Sequence, residues 1–517
     1  MKFATDDSAP ARTFAFVRPT AVLLLIAALL LVALYAAVAD GGFPLDDSWI
    51  HQVYGRNLAQ TGLWAFVPGA PSAASTAPLY TVLLAAGYTL GMPFKLWTHG
   101  LGALALAAAG LTGARLAARL MPEQQYIGLA AGLALVGTWH LVWAAASGME
   151  TMLFSLWTLA LMTLGWDAPE GGWRRGALFG VCAALAALTR PEGVLLAGLV
   201  GAAVLAARLP AGRRRWLPWL LGAGAGFVVC IAPYLILNLQ LTGGLLPNTA
   251  AAKQAEYAPI IALLPYPRRL WEMFRPIFAG GQILLLPGLV YFIVMTARRL
   301  RADREKLLFL LPVGWALALV ALYAARLPAP YQHGRYVIPA LPSLVLVGVV
   351  GTAWMLRESR RTLAGRVVSR ALAAAGALAF GYFALAGAGI YSHDVDIIDE
   401  EMVTAAQWIQ THLPPEDRLA VHDIGAVGYF APRPILDLAG LVNPEIIPFI
   451  RDAAALWDWM QANDARYLMA FPDQIPGQNP DDPRLCRVFV TGGKASPAAG
   501  GANMAVYALA WDGICPD

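Results

Sequence analysis

The sequence predicts an α-helical polytopic membrane protein with a small α/β domain at its C-terminal end. Three observations carry this. The 517 residues are 58% hydrophobic and only 14% charged, with mean hydropathy +0.57, whereas soluble domains carry about a quarter charged residues. Apolar runs approaching the ~20 residues that span a bilayer as a helix recur up to residue 391. Beyond that point the pattern changes to short alternating strand-like and helix-like stretches.

The apolar runs lie near 17–39, 77–91, 94–119, 126–146, 149–166, 176–190, 193–208, 217–239, 276–297, 306–326, 336–356 and 371–391. The first lacks a small-residue cleavage site at a suitable place and reads as a retained helix. Lys and Arg in short loops mark the cytoplasmic side. The basic clusters are Lys2/Arg12/Arg18, Arg115/Arg119, Arg174/Arg175, Arg208 with Arg213–Arg215, "ARRLRADREK" and "RESRRTLAGRVVSR". All six fall inside only if the 77–91 run does not cross, and its length is short for a span at ~1.5 Å per residue. That run is therefore placed at the outer interface.

About eleven spans remain, with the N-terminus cytoplasmic and the C-terminus outside a cell (inner or plasma) membrane. Residues 1–391 form the transmembrane domain, with a long first outer loop at 40–76, and 392–517 an extracytoplasmic α/β domain. In the tail, "EEMVTAAQWIQTHL" and "ALWDWMQANDA" read as helices; "RLAVHD", "RPILDL", "RYLMAF", "RVFVTG" and "MAVYALAW" read as strands. Cys182 and Cys230 sit in apolar runs as small buried thiols. Cys486 and Cys515 lie in the tail, where an oxidising compartment permits a disulfide that spacing alone does not decide. The net charge of +4 comes from loop clusters, and no basic face interleaved with aromatics exists for a nucleic acid.

On this topology nearly every motif-like polar cluster lands on the outer face. "GGFPLDDSWIHQVYGRNLAQTG" places Asp46 and Asp47 just beyond the first span. A carboxylate at the boundary can accept the proton of an attacking hydroxyl, and an adjacent pair also suits Mg²⁺ or Ca²⁺. Either Asp is equally a natural N-cap for the helix that follows. His51 lies one turn beyond Asp47. "SGMET" carries Glu150, in reach of a capping box from Ser147. "LTRPEG" carries Arg190 and Glu192, which can pair with each other, or Arg190 can grip a phosphate. "LLPNTAAAK" contributes Asn248 and Lys253, and "YQHGRYVIPALP" contributes His333 and Arg335. Interfacial Arg and Tyr often only anchor helices; that reading weakens when several cations share a leaflet with an acid pair.

There is no P-loop and no HExxH, and "GAGAG" at 222–226 lies within a span as helix-packing glycine. No cytoplasmic loop is long enough for a nucleotide-binding domain. An enzyme built this way draws its activated substrate from the membrane itself.

"LDDSWIHQVYGRNLAQTGLWAFVPG" resembles the opening of the GT-C membrane glycosyltransferases, closest to terminal β-(1→2) arabinofuranosyltransferase-like proteins. The resemblance continues in order through "STAPLYTVLLA", "ASGMETMLFSLW", "ALTRPEGVLL", "TGGLLPNTAAAK", "GRYVIPALP" and "DIGAVGYFAPRPILDLAGLVNPEI", while Val53 and Val67 stand where the family has Arg and Asn. It implies a GT-C fold and transfer of a sugar, arabinofuranose by nearest resemblance, from a polyprenyl-phosphate donor to a cell-envelope glycan or glycolipid. It implies Asp46 or Asp47 as catalytic base, with Asp46 favoured by analogy with the first acid of related pairs. Arg190, Lys253, Arg335 and His333 would hold the donor phosphate. His51, Tyr54, Arg56, Glu150, Glu192 and Asn248 would line the substrate pocket, and the tail would bind the acceptor. A mannosyl or aminosugar transferase is the alternative on the same scaffold. A transporter or lipid flippase is the rival class, but transporters carry polar residues near the midplane, where this chain is apolar.

Overall fold

The computed structural model describes residues 9–167, 171–208, 213–245, 247, 249–359 and 362–515. The chain opens with helices α1 (Ala9–Val38), α2 (Asp46–Thr61), α3 (Pro78–Thr89) and α4 (Phe94–Leu120), with a small hairpin of β1 (Ala65–Val67) and β2 (Ala70–Pro71) between α2 and α3. It continues through α5 (Ile127–Val136), α6 (Trp139–Ala146), α7 (Thr151–Trp166), α8 (Trp173–Thr189), α9 (Gly193–Arg208) and α10 (Arg213–Thr242). Then come α11 (Thr249–Leu263), α12 (Tyr266–Phe274), α13 (Leu286–Leu300), α14 (Lys306–Arg326), the short turn α15 (Tyr331–Gly334), α16 (Leu341–Ser359) and α17 (Leu363–Ile398).

Among the described residues, seven helices are long and apolar enough to cross a membrane, and α5 with α6 makes an eighth, bent by 54°. Helices α7 and α9, with 16 residues each, are shorter apolar helices, and α8 has 17 residues. Helix α3, the run expected not to cross, has only 12 residues. The chain is a multi-pass membrane protein. Burial sorts its spans: the apolar window ending in α16 is 72% buried and central, whereas that of α10 is 11% buried and faces outward. Helix α10 is held against α8 by close backbone approach. A Cβ on Gly222 would stand 2.2 Å from the Trp173 carbonyl, and one on Gly226 2.4 Å from that of Ala177, whereas Gly224 faces open space, so the two outer glycines of "GAGAG" pack a helix pair.

At one end of the bundle α17 passes through a π-turn at Asp399–Val403 into α18 (Thr404–His412) without a break. The chain then forms β3 (Leu419–Val421), α19 (Ile424–Phe430), β4 (Ile435–Asp437), α20 (Ala453–Ala462), β5 (Tyr467–Ala470), β6 (Leu485–Val490), α21 (Ala495–Ala498) and β7 (Ala505–Leu509). The five strands make one sheet in the order β4-β3-β5-β7-β6, parallel among β3, β4 and β5 and antiparallel for the rest. Each strand falls where alternation placed it; helices α19 and α21 are elements of this region that the sequence pattern did not announce. Cys486 and Cys515 are disulfide-bonded.

The sheet region does not pack as a separate body. Phe43, Trp49, Val53, Tyr54, Trp64 and Phe66 of the segment after α1 share one hydrophobic core with Ile398, Met402, Ile409, Val421, Val427 and Val506. The residues following the first span are thus folded between bundle and sheet, and the candidate site lies there.

Candidate active site

Helix α2 begins at the acid pair and turns its two carboxylates in different directions. Asp46 accepts hydrogen bonds from the backbone N–H of Gly425 (2.6 Å, Oδ2) and Ala426 (2.8 Å, Oδ1), the first turn of α19. Burial and the facing charge of Asp423 push its carboxyl up to about 8, against those two N–H donors. Asp47 faces the bundle. Its Oδ2 meets Arg335 Nη2 at 2.9 Å and Lys253 Nζ at 3.5 Å. Burial alone would raise the Asp47 carboxyl, but Lys253, Arg335 and His51 outweigh it and hold it well below the usual carboxylate range. The same attraction raises Lys253 despite the burial that opposes its charge.

Around Asp47 opens a cavity of about 590 Å³, lined by His51 and Ile50 of α2, Ser75 and Thr76, Glu150 and Thr151, Arg190 and Glu192, Thr249 and Lys253, Tyr323, Arg326, Arg335 and Tyr336. Its polar wall is one continuous network. His51 Nε2 lies 3.2 Å from Glu150 Oε2, and Arg190 reaches Glu150 (3.6 Å), Glu192 (3.4 Å) and the Tyr323 hydroxyl (2.7 Å). The Tyr336 hydroxyl accepts from Arg335 (3.0 Å) and Lys253 (3.2 Å), and the Arg190 guanidinium stands 5.7 Å from its ring. Three cations therefore converge on one tyrosine beside one carboxylate. Within residues 1–391, the buried side chains of Asp, Glu, Lys and Arg among the described residues are Glu150, Arg190 and Arg335, all on this wall.

A second cavity of about 250 Å³ lies toward the sheet, lined by Asp46, Glu256, Tyr257, Tyr331, His422 and Asp423. The two share Asp47, Ile50, Lys253, Arg335 and Leu441. The ion-paired Asp47 thus stands as a partition between a chamber walled by spans and one roofed by the sheet region. Burial pushes the His422 imidazole down, but its 3.1 Å contact with Asp423 outweighs this and raises it to about 9.

The expected site residues separate into two groups. Asp47, His51, Glu150, Glu192, Arg190, Lys253 and Arg335 meet in the large cavity. Glu150 makes no cap to its own helix and pairs with His51 and Arg190 instead. Tyr54 and Arg56 lie outside both linings: the Tyr54 hydroxyl bonds Ser72 and the Ala74 N–H, and Arg56 donates to the Tyr429 and Gly428 carbonyls (2.8 and 3.1 Å) at the far end of α19. His333 is turned away toward Asp394, at 2.7 Å. Asn248 lies outside the described residues. Tyr323, Tyr336, His422 and Asp423 were not singled out; "VHDIG", an adjacent His-Asp pair ahead of a short helix, was the available signal for the last two.

The acid pair does not fit a divalent cation. Both Asp46 oxygens are taken by backbone N–H, and Asp47 is held by two cations that would repel one. No group of three or more His, Cys, Asp or Glu suited to a metal occurs among the described residues.

The sequence finds no match among curated proteins. A family profile described as "Domain of unknown function (DUF8728)" matches residues 391–507. Among solved structures, ArnT from Cupriavidus metallidurans in the apo state is similar with a TM-score of 0.60 at 15% identity, over 96% of this chain and 99% of that one. The same protein bound to undecaprenyl phosphate gives 0.54 at 14%, over 96% and 99%. The Archaeoglobus fulgidus oligosaccharyltransferase in the apo form gives 0.60 at 12%, over 95% of this chain and 75% of that one. These neighbours are GT-C glycosyltransferases, and the chain has their fold.

Proposed function

We propose that this protein transfers a sugar from a polyprenyl-phosphate donor to an extracytoplasmic cell-envelope glycan or glycolipid, with Asp47 rather than Asp46 as the base. The observation that carries the reading is the convergence of Arg335, Lys253 and Arg190 on Tyr336, in a cavity among the spans, immediately beside Asp47. Three cations and a tyrosine suit a phosphate, and apolar walls such as Val194, Leu195 and Leu322 suit the start of a lipid chain. The ArnT structure bound to undecaprenyl phosphate supports a lipid phosphate as the ligand of this fold.

The chemistry follows from the partition. The acceptor hydroxyl attacks the anomeric carbon, the carbon–oxygen bond to phosphate breaks, and the lipid phosphate departs with the electron pair. Its growing negative charge is stabilised most in the transition state by cations already in place. Asp47 takes the hydroxyl proton. With its cations in contact Asp47 is a weak base. A phosphate that draws Arg335 and Lys253 toward itself removes part of that compensation and strengthens the base when the donor is bound. Both cations sit on Oδ2, and among the described residues Oδ1 has no hydrogen-bond partner, which leaves it for the acceptor. The acceptor would then occupy the chamber under the sheet.

The sugar we assign is arabinofuranose, on the sequence resemblance, with mannosyl and aminosugar donors as competitors. The test is transfer by the purified chain from synthetic polyprenyl-phosphate donors carrying each sugar. Wild type should use one of them and Asp47→Asn should lose activity by about 10²–10⁴-fold, the usual worth of a general base. Equal turnover by Asp47→Asn would remove Asp47 from the chemistry, and no transfer from any of the donors by wild type would refute the reading.

A further inference from the structure

We infer that Asp394 and His333 are positioning residues that hold a left-handed backbone turn and so aim Arg335 into the cavity; this rests on the assignment of that cavity to a lipid phosphate. Gln332 (φ 49°, ψ 50°), His333 (φ 58°, ψ 24°) and Gly334 (φ 68°) form three consecutive left-handed residues. Such a run is rare because the Cβ of an L-residue there crowds the following carbonyl, and only glycine escapes it. Two non-glycine residues persist in that region only where the surroundings over-determine them.

The surroundings do so here. His333 Nε2 meets Asp394 Oδ2, near the end of α17, at 2.7 Å, and the same oxygen accepts from Trp143 Nε1 at 2.9 Å. The imidazole lies edge-on between Trp139 and Trp143, with ring centroids 5.2 and 5.5 Å away. Two residues further on, Arg335 is 92% buried, and its Nε has no partner among the described residues. An ordinary right-handed continuation of Tyr331 would carry Arg335 to another face of the span. The strained turn instead sets the guanidinium against Asp47 and Tyr336. His333 and Arg335, joined in one short motif, therefore divide the work: one holds the backbone and the other meets the ligand.

The test uses the full chain in detergent and two readouts, affinity for undecaprenyl phosphate and hydrogen–deuterium exchange across residues 331–336. Asp394→Asn should weaken binding about ten- to hundredfold, the worth of a charge-assisted contact, and should speed exchange in the turn. Adding Gln332→Gly should restore most of both, because glycine adopts the left-handed conformation without the lock. A role for Asp394 confined to packing α17 would not be rescued by a glycine at position 332, which acts only on the backbone of the turn. Unchanged binding and exchange in Asp394→Asn, or a loss that Gln332→Gly fails to restore, overturns the inference. If wild type binds no undecaprenyl phosphate, the ligand assignment fails, and the exchange data alone decide the lock. If Asp394→Asn does not fold, His333→Leu with and without Gln332→Gly is read in the same way.

Discussion

Asp46 and Asp47 are neighbours on one helix turn, yet the first hydrogen-bonds the sheet region and the second faces two cations in the bundle. The difference sets opposite outcomes for the same substitution. Asp46→Asn replaces one acceptor oxygen of a capping interaction and should cost of order 1 kcal/mol, lowering the melting temperature while transfer continues. Asp47→Asn should leave the melt nearly unchanged and lose transfer. A melt and a transfer assay on both variants check this, and inactivity of Asp46→Asn at wild-type stability would restore Asp46 as the base. At Arg335 the shape of the cation matters. Arg335→Lys keeps the charge but cannot reach Asp47, Tyr336 and a phosphate from one planar fork. Donor KM and kcat should both worsen by about tenfold or more, the worth of a lost charged hydrogen bond; Lys at wild-type rates would reduce Arg335 to a helix anchor.

Helix α19 is gripped at both ends by α2. Asp46 accepts from its first turn and Arg56 donates to its last carbonyls, with Trp49 packed on Tyr429 and Phe430 between them (ring centroids 5.0 and 4.7 Å). The grip requires a glycine: a Cβ on Gly425 would stand 2.0 Å from the Asp46 carbonyl oxygen. Gly425→Ala should therefore push α19 from α2, destabilise the protein by about 1–3 kcal/mol as overpacking does, and impair transfer by moving Asp47; wild-type melting and turnover would show the contact to be dispensable. His422, on the same side, supplies a pH signature. Its imidazole is raised to about 9 by Asp423, so its contribution to stability is complete below its ordinary value near 6.5 and is lost as pH rises through about 9. Wild type should lose melting temperature over that window more steeply than His422→Gln. Parallel slopes would mean the pair contributes nothing.

For the whole molecule, the chemistry proposed above requires the sheet region and the first loop to face away from the cytoplasm. The Cys486–Cys515 disulfide, of a kind that persists in oxidising compartments, supports that orientation. A cysteine at exposed Ala70 should react with an impermeant thiol reagent in intact cells, and one at exposed Ala302 should not. The reverse pattern would put the cavity on the wrong side for a cell-envelope acceptor. The gathering of buried charge on one wall, with none at the middle of the bundle among the described residues, also weighs against a transporter.

The membrane class, the long apolar helices, the five strands and the shortness of helix α3 were all readable in the chain, because each depends on local periodicity and length. So were Asp47, His51, Glu150, Arg190, Lys253 and Arg335 as polar residues at one end of the bundle. Their partners were not readable. Whether Asp46 or Asp47 faces the cavity depends on where α19, hundreds of residues later in the chain, docks against α2. Tyr54 and Arg56 sit in the same motif as the acid pair, yet packing spends them on Ser72 and on α19. His333 and Arg335, two residues apart, are sent to opposite sides by a backbone turn that no propensity favours and that a carboxylate on α17 stabilises. Pattern records which groups a segment offers; which group meets which is a matter of long-range contacts, and those exist only once bundle and sheet have closed on each other.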